Sequence, residues 1–474
     1  MEKLFKLKQH GTTVRTEILA GVTTFMTMAY IIALNPNLLT NFGANGQDLW
    51  NGAFMATCIA SAVGMFVMAF LANLPFAMAP GMGLNTFFAL VVAEIAGLTG
   101  LTYLKSYQAA LCIMLIEGIV FVILSVLSVR EKIVDAIPLS IRMGFSPAIG
   151  IMLMNIGLGS NVSIYSENGG PFYALSDFFG SLTPRVAKDA MGSGYAIMVL
   201  SVITMFTGLL VIVILSKKGL KSAVLLGMLL ASIVYWVGQA IFLHTNPFES
   251  LATANWIPPF SDMAATTLFK FDFGTLISIG WFTVITLVLT FVMIDMFDTI
   301  GTFVGTAQRA GMLDDNGKMP KMKEALLSDA IGTVAGACTG TSTVTTFIES
   351  ASGIGAGGRT GLTTLTTGIL FLACIFIAPL ASIIPAPATS AALIYVGVLM
   401  LQGLKKINFD NIEEFLPVAI MLIAMPISGS IGHAIGLGLI TYTILALFTG
   451  KAKQVSVLTY IVSILFLIKF FYVG

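Results

Sequence analysis

The chain has 474 residues, of which 57% are hydrophobic and only 10% are charged, and its formal net charge is +1. A soluble domain carries roughly 25% charged residues, and a mean hydropathy of +0.94 leaves too little polar surface for several water-soluble cores. The balanced charge also excludes a basic surface for nucleic acid and an acidic tail. The sequence therefore predicts an all-α, polytopic integral membrane protein.

Apolar stretches recur along the whole chain, and a membrane-spanning helix needs roughly 20 apolar residues, or fewer where it is interrupted. A further stretch, from Val455 to Tyr472, either spans the membrane or lies along its surface. We predict fourteen segments, numbered 1 to 14 in chain order, at residues 17–40, 51–72, 80–98, 107–128, 137–160, 193–216, 221–243, 275–308, 324–339, 341–358, 360–381, 387–404, 411–427 and 430–449.

Basic residues are distributed unequally between alternate loops. With the N-terminus in the cytoplasm, nineteen Lys and Arg side chains fall on the cytoplasmic side, where such residues accumulate. Only four fall outside: Lys105, Arg185, Lys188 and Lys270. The charged start leads into an apolar run without a small-residue cleavage site, so we expect no signal peptide. The pattern predicts a multi-pass protein with a cytoplasmic N-terminus.

The two halves of the chain show related patterns. Segment 5 carries Ile137-Pro138 and Gly157-Leu158, and segment 12 carries Ile384-Pro385 and Gly403-Leu404 at nearly the same spacing. Because seven spans is an odd number, a repeat of seven has to be inverted in the membrane. The sequence therefore predicts two inverted repeats of seven segments.

Segments 3 and 10 are short and begin with residues that interrupt a helix. Segment 3 starts with Ala79 to Asn85, which is rich in Gly and Pro, and segment 10 starts with Gly340 to Thr346, which is rich in Thr. Interrupted segments at matching places in two inverted halves are the best sequence indication of a transporter's binding site. We therefore expect a ligand site between these two segments.

Acidic residues inside two predicted segments are expensive to bury and mark functional positions. On segment 8, Asp295 and Asp298 share one helix face, and Thr302 lies one turn beyond Asp298. Glu349 follows the Thr-rich start of segment 10. No Lys or Arg lies inside either segment, so we expect one or more of these acids to be protonated. The alternative is that the carboxyl groups only tie helices together.

Other acids within the segments carry less functional weight. For Glu94, Glu117 and Asp329, a structural role is at least as well supported as a functional one. The four cysteines form no CxxC pair, and the three histidines are too scattered for a zinc site, which leaves no predicted metal or disulfide framework. No HExxH, Walker A or GxSxG motif is present, so an enzyme is not expected.

The acids restrict the kind of ligand. Three acids without a base disfavour an anion, while charge alone allows an organic cation or a metal. A neutral ring with several N–H donors fits better, because a carboxylate accepts two adjacent N–H bonds side by side and half-helix N-termini suit a carbonyl or ring nitrogen. Phe87 and Phe347 lie beside the breaks and offer stacking, although such residues more often face lipid or the core. A nucleobase is indicated, and other small amides stay open.

Six stretches of the chain together match the sequence pattern of a known family. They are Gly21 to Tyr30, Ala79 to Asn85, Arg130 to Pro138, Asp295 to Gly301, Gly340 to Ser350 and Gly357 to Thr363. Through these stretches the chain resembles the nucleobase–cation symporters of the nucleobase–ascorbate transporter superfamily, and within these the AzgA-like adenine/guanine/hypoxanthine permeases.

The resemblance implies a fold of two inverted repeats of seven, with a short strand and a half-helix in segments 3 and 10. It also implies a core domain of residues 1–128 and 246–381 and a gate domain of residues 129–245 and 382–474.

The resemblance further implies roles for particular residues. Asp298 and Glu349 would bind the base, and Asp295, with these two, would handle the coupling proton. The rest of the pocket would comprise Asn85, Thr346, Phe87 and Phe347 together with the backbones of segments 3 and 10. Uracil-type relatives have a histidine where Thr302 stands here, so we expect no histidine relay and only a supporting role for Thr302.

The expected function is import of purine nucleobases across the plasma membrane by proton symport, with the core domain moving against the gate domain. We expect no organic cofactor; the partners would be a purine base and membrane lipid, and a homodimer is one candidate assembly. Coupling to Na⁺ is the first alternative. An anion or carboxylate transporter of the same superfold is the second, and a membrane-embedded enzyme is the third. The preferred purine is left open.

Overall fold

The computed structural model describes residues 2–41, 43–127, 139–158, 194–252, 254–309, 312, 319, 321–428 and 431–472. The chain divides into two compact units, the first of Met1–Arg142, Ile257–Ala378 and Tyr442–Gly474, and the second of Met143–Trp256 and Pro379–Thr441. The start of predicted segment 5 and the Arg130 to Pro138 stretch lie outside the described residues.

Helices dominate the described residues. In chain order they are α1 (Glu2–Phe5), α2 (Val14–Met28), α3 (Ile31–Leu39), α4 (Gln47–Val67), α5 (Met82–Thr99), α6 (Tyr103–Val126), α7 (Leu139–Leu158), α8 (Gly194–Lys217), α9 (Ala223–Gly238), α10 (Glu249–Ala252), α11 (Phe260–Thr266), α12 (Phe273–Ser278), α13 (Trp281–Arg309), α14 (Met322–Thr339), α15 (Ser350–Gly355), α16 (Gly361–Ala373), α17 (Ala378–Ser382), α18 (Ala386–Met400), α19 (Ile412–Ser428), α20 (Ile431–Phe448) and α21 (Val457–Tyr472). Single π- or 3₁₀-turns extend several of them: Met68–Ala72, Gln239–Leu243, Cys374–Ile377, Leu401–Lys406 and Ala452–Gln454.

Eight helical stretches within the described residues are long and apolar enough to cross a membrane. Ser and Thr side chains lie buried between the helices, while large apolar side chains such as Leu210, Ile241 and Phe242 are exposed. This distribution suits a protein whose surroundings are lipid, because hydroxyl groups then find partners on neighbouring helices. The predicted helical, polytopic membrane fold is confirmed. The eight stretches are Val14–Leu39, Gln47–Ala72, Met82–Thr99, Tyr103–Val126, Tyr195–Lys217, Ala223–Leu243, Gly361–Ser382 and Ala386–Lys405.

Four shorter apolar helices are also present in the described part of the chain. They match the positions of predicted segments 5, 8 and 14 and of the last apolar stretch. They are Met143–Leu158, Trp281–Met296, His433–Phe448 and Val457–Ile468.

The breaks predicted in segments 3 and 10 are two short strands of the first unit. Strand β1 (Met78–Pro80) pairs antiparallel with β2 (Val344–Thr346), with Ala79 opposite Thr345. Helix α5 begins directly after β1, and α15 begins four residues after β2. Pro80 cannot donate to the strand ladder and so lies at the end of its strand. The predicted strand followed by a helix is therefore present in both segments.

Predicted segment 8 begins later than expected. The sequence suggested one span from residue 275, but α12 ends at Ser278 and α13 starts at Trp281. Gly280 between them has a φ of +87°, in the left-handed region that favours glycine, and this conformation ends α12. Hydropathy alone did not distinguish the short helix from the span, because both are apolar.

The last apolar stretch is the helix α21, and its contacts lie within the first unit. Helix α21 packs against α13, and the Thr443 and Ser463 hydroxyl groups lie 2.8 Å apart. Residues Tyr442–Gly474 belong to the first unit. The gate domain expected over residues 129–245 and 382–474 includes them, and that division into core and gate stays a prediction.

Candidate functional site

The stretch that leads into and forms β2 lies at the centre of the first unit. Its side chains are buried, and four of its hydroxyl groups contact polar side chains from four different helices. These contacts are Thr341 with Asn35 on α3 (2.9 Å), Ser342 with Asn85 on α5, Thr343 with Glu117 on α6 (2.8 Å), and Thr345 with Thr299 on α13 (2.7 Å). The strand is therefore fixed on several sides before any ligand binds.

Thr346 differs from these four hydroxyl residues. Its side chain is only 3% exposed, and its Oγ1 has no hydrogen-bond partner among the described residues. A buried hydroxyl without a partner costs free energy, so it marks a place where a ligand or water would complete the site. Contact of Thr346 with a ligand stays a prediction.

Two carboxylates meet at the hydroxyl group of Thr299. Thr299 Oγ1 lies 2.9 Å from Asp295 Oδ1 and 3.2 to 3.3 Å from the two carboxyl oxygens of Asp329 on α14. Asp295, Asp329 and Thr299 are all fully buried. A hydroxyl group has one proton to donate, so the two acids share a single donor at this point. The arrangement is suited to hold an additional proton between the acids.

Asp298 is half-buried one turn from this pair of acids, and Thr302 is half-buried one turn further along α13. The Asp298 carboxylate is close enough to Asp329 and Glu349 for their charges to interact. It also lies beside the end of β1, because a Cβ built on Gly81 would be 3.9 Å from Asp298 Oδ2. The structure thus brings Asp298 to the junction between β1 and α5.

Glu349 stands between β2 and α15 and is half-buried. Its Oε1 accepts a hydrogen bond of 2.8 Å from the hydroxyl group of Tyr30. Tyr30 lies in the two-residue turn between α2 and α3 and is 1% exposed. Tyr30, in the turn that interrupts predicted segment 1, is therefore a hydrogen-bond partner of Glu349 in segment 10.

The remaining predicted site residues form hydrogen bonds or packing contacts with other residues of the first unit. The Asn85 side-chain amide donates to the Pro80 carbonyl at 3.1 Å, and its oxygen accepts from Ser342. Phe87 is buried and packs on Phe291 with ring centroids 4.3 Å apart. Phe347 is buried and its N–H donates to the Ala77 carbonyl at 3.0 Å. Their contact with a ligand stays a prediction.

Two residues of this region, Tyr30 and Thr299, were not among the predicted site residues, and the role of a third, Asp329, was left open. Tyr30 lies within a stretch that carried the family resemblance, yet no local pattern linked it to Glu349. Thr299 lies between Asp295 and Asp298 in the chain, and its i+4 spacing from Asp295 could have indicated their contact. Asp329 comes from another helix, and only packing shows its contact with Thr299.

The described residues contain no group of three or more His, Cys, Asp or Glu side chains that could hold a metal ion. The buried acids that converge here instead contact hydroxyl groups. Within the described part of the chain, the donor set is one of carboxylates and hydroxyls, which bind N–H donors and protons.

The sequence of the chain is similar over most of its length to a known protein family. A family model for xanthine/uracil permeases, described as the Permease family, matches residues 15–439. The chain is 36% identical to the adenine permease AdeP of Escherichia coli over 473 residues, covering 100% of this chain and 96% of AdeP. It is 35% identical to the guanine/hypoxanthine permease PbuO of Bacillus subtilis, covering 99% of this chain and 100% of PbuO.

Among solved structures, the chain resembles the transmembrane domain of the cyanobacterial bicarbonate transporter BicA. The TM-score is 0.61 at 17% identity, covering 90% of this chain and 97% of that domain. At this identity the likeness concerns the fold alone. The family model and the full-length relatives agree with the resemblance drawn from the motifs, and the chain belongs to the xanthine/uracil permease family of membrane permeases.

Proposed function

We propose that this protein imports purine nucleobases across the plasma membrane. The observation that carries the proposal is the cluster at the paired strands. The half-buried Asp298 and Glu349 carboxylates interact through their charges there, and the buried Thr346 hydroxyl on β2, three residues before Glu349, has no partner among the described residues. Support also comes from the full-length relatives named as adenine and guanine/hypoxanthine permeases.

The chemistry of the cluster suits a flat base with N–H groups. Carboxylates accept hydrogen bonds from adjacent N–H donors, and every purine base carries at least one ring N–H. The Thr346 hydroxyl can donate to a ring carbonyl or accept from an exocyclic amine, so it suits both oxo- and amino-purines. Phe347 supplies an aromatic ring next to Thr346 in the chain, where a planar ligand can stack.

Proton symport is the proposed coupling. The fully buried Asp295 and Asp329 share one hydroxyl donor, and the charge of Asp329 interacts with that of the base-binding Asp298. A proton taken up here would reduce the unpaired negative charge that the loaded carrier moves through apolar surroundings. Binding of base and proton would in this way favour the moving state over the empty, charged one.

The proposed architecture has fourteen segments in two inverted repeats of seven, a cytoplasmic N-terminus, and a core domain that moves against a gate domain. The fold likeness to BicA supports a transporter fold. An anion as cargo is disfavoured, because the side chains that meet in the described contacts are carboxylates and hydroxyls.

The proposal is tested by uptake of radiolabelled hypoxanthine into cells that lack their own purine permeases. We expect uptake in sodium-free buffer that is abolished by an uncoupler and inhibited by unlabelled adenine or guanine, but not by uracil. If uptake required sodium, the coupling ion would be Na⁺ and not the proton. Absence of uptake of any purine by protein shown to be in the membrane would overturn the proposed cargo.

Replacement of the segment-10 acid tests the site itself. Glu349→Gln keeps the size of the side chain but loses a charged acceptor, and we expect at least about a hundredfold loss of uptake with normal expression. Glu94→Gln is the matched control, since Glu94 is also half-buried but lies on α5 about three turns beyond the strand junction. Wild-type uptake by Glu349→Gln would contradict the assignment.

A further inference from the structure

We propose that Tyr30 is a positioning residue for base binding, which holds the Glu349 carboxylate in the orientation that receives the base. The inference rests on the proposed function and concerns the same site. It starts from one contact, the 2.8 Å hydrogen bond from the Tyr30 hydroxyl to Glu349 Oε1, which joins residues 319 positions apart in the chain.

A partner on another element matters for Glu349, because the elements on either side of it are short. It follows the extended stretch of β2 and precedes α15, a helix of only six residues. A Glu side chain has several rotatable bonds, and ordering it costs conformational entropy. A hydrogen bond from a buried phenol to one carboxyl oxygen fixes the orientation of the whole group before the ligand arrives, which is the condition for tight binding.

Tyr30 is itself held rigidly. It occupies the turn between α2 and α3, is 1% exposed, and is therefore fixed by packing. A hydrogen bond to a carboxylate is roughly twice as strong as one between neutral groups. With Oε1 engaged by Tyr30, Glu349 presents its other oxygen, Oε2, to a donor on the base.

Two other tyrosines, the buried Tyr107 and the half-buried Tyr103, show what a purely structural hydroxyl does in this unit. The Tyr107 hydroxyl donates to the Gly340 carbonyl at 2.8 Å, and the Tyr103 hydroxyl donates to the Leu39 carbonyl at 2.7 Å. Both bonds end on the backbone and join helices or loops. Tyr30 differs because its acceptor is a proposed ligand-binding carboxylate.

The test is equilibrium binding of radiolabelled hypoxanthine and adenine to the purified full-length protein in lipid nanodiscs. For Tyr30→Phe we expect about tenfold weaker binding, since only the donor is removed. The maximal rate of uptake should fall less than the apparent affinity. Tyr107→Phe, the matched control, loses an equally buried hydroxyl bond and should bind within about twofold of the wild type.

A double-mutant cycle separates positioning from general damage. Glu349→Asp keeps a carboxylate but shortens it by one methylene and withdraws it from Tyr30. In that background, Tyr30→Phe should weaken binding by less than about twofold, because the bond it removes is already gone. Equal effects of Tyr30→Phe in both backgrounds would overturn the positioning role.

The outcomes distinguish this inference from the proposed function. If the wild-type protein bound no purine, the proposed function would fail and the role of Tyr30 with it. If the wild type bound purine and Tyr30→Phe bound equally well, only the present inference would fail. Should Tyr30→Phe not fold, p-aminophenylalanine at position 30 keeps the ring and an N–H donor; affinity near the wild type supports the donor role, and a tenfold loss overturns it.

Discussion

At the scale of single residues, the Thr299 hydroxyl is shared among several polar neighbours in the first unit. Three neighbours, Asp295, Asp329 and Thr345, lie within hydrogen-bond distance of its oxygen. Since it has one proton to give, which neighbour receives it depends on the protonation of the two acids. Thr299 therefore couples the protonation state of α13 and α14 to the strand β2, through Thr345.

Thr299→Val removes this hydroxyl at nearly constant volume. We expect at least about tenfold slower purine uptake, because both acids lose their shared donor, and a hydrogen bond to a charged group contributes roughly 1.5–3 kcal/mol. Uptake at several external pH values is the measurement. Thr364→Val is the control, since Thr364 is equally buried and donates only to the Leu74 carbonyl at 2.8 Å. Equal uptake by both variants would show that the shared hydroxyl has no role in transport.

At the scale of elements, one acid near the start of the chain holds the beginning of a distant helix. The fully buried Glu17 on α2 accepts the backbone N–H groups of Arg359, Thr360 and Thr363, at 2.9, 3.2 and 3.2 Å. It also accepts the Thr363 hydroxyl at 2.6 Å. The first backbone N–H groups of a helix have no partner within it, so Glu17 caps α16 from another segment.

Removal of this cap should destabilise the first unit. Glu17→Ala removes the acceptor of the Arg359 and Thr360 N–H groups and of the Thr363 hydroxyl, which we expect to cost about 2–4 kcal/mol. The thermal midpoint of the detergent-purified protein, followed by size-exclusion chromatography after heating, should fall by several degrees. Glu17→Gln retains one acceptor oxygen and should fall between the wild type and Glu17→Ala. A midpoint unchanged in Glu17→Ala would show that the cap contributes nothing.

A second capped element predicts a pH dependence. Asp272 accepts the Thr275 backbone N–H at 2.9 Å and hydroxyl at 3.0 Å at the start of α12, and Lys105 lies 3.7 Å away. The backbone N–H of Thr275 above all, and then its hydroxyl and Lys105, lower the pKa of Asp272 against the opposing effect of partial burial. A carboxylate with a lowered pKa stabilises the fold above its ordinary value and loses that stabilisation as the pH falls through the folded value.

Asp272→Asn should therefore lower the thermal midpoint near neutral pH. The difference from the wild type should shrink as the pH is lowered from about 6 to about 3, because the wild-type carboxyl group becomes neutral there. The measurement is the thermal midpoint of both proteins across that range. A difference that stays constant with pH would mean that the charge of Asp272 does not stabilise α12.

At the scale of the whole molecule, the unequal distribution of basic residues makes orientation testable. Topology reporters fused after Thr102, in the loop between α5 and α6, and after Lys218, between α8 and α9, fall on opposite sides in the proposed arrangement. Alkaline phosphatase should be active after Thr102 and inactive after Lys218, and green fluorescent protein should show the reverse. If the reporters placed both sites on the same side of the membrane, the proposed arrangement would be wrong.

Patterns among neighbouring residues were sufficient to predict much of the architecture. Composition and hydropathy predicted a helical membrane protein because the cost of burying polar backbone in lipid leaves few alternatives. The Gly- and Pro-rich start of segment 3 and the Thr-rich start of segment 10 predicted breaks that are strands in the structure. These features depend on neighbouring residues, so a single sequence contains them.

The partners of the buried acids depended on tertiary structure. Glu349 meets Tyr30 across 319 positions, Glu17 meets Arg359 across 342, and Thr299 meets Asp329 across 30. The sequence by itself determined the membrane class, the breaks and the acids placed near them, because these follow from the side chains in each local stretch. Only the tertiary structure decided which groups share a proton or a hydrogen bond, since those bonds form between helices brought together by packing.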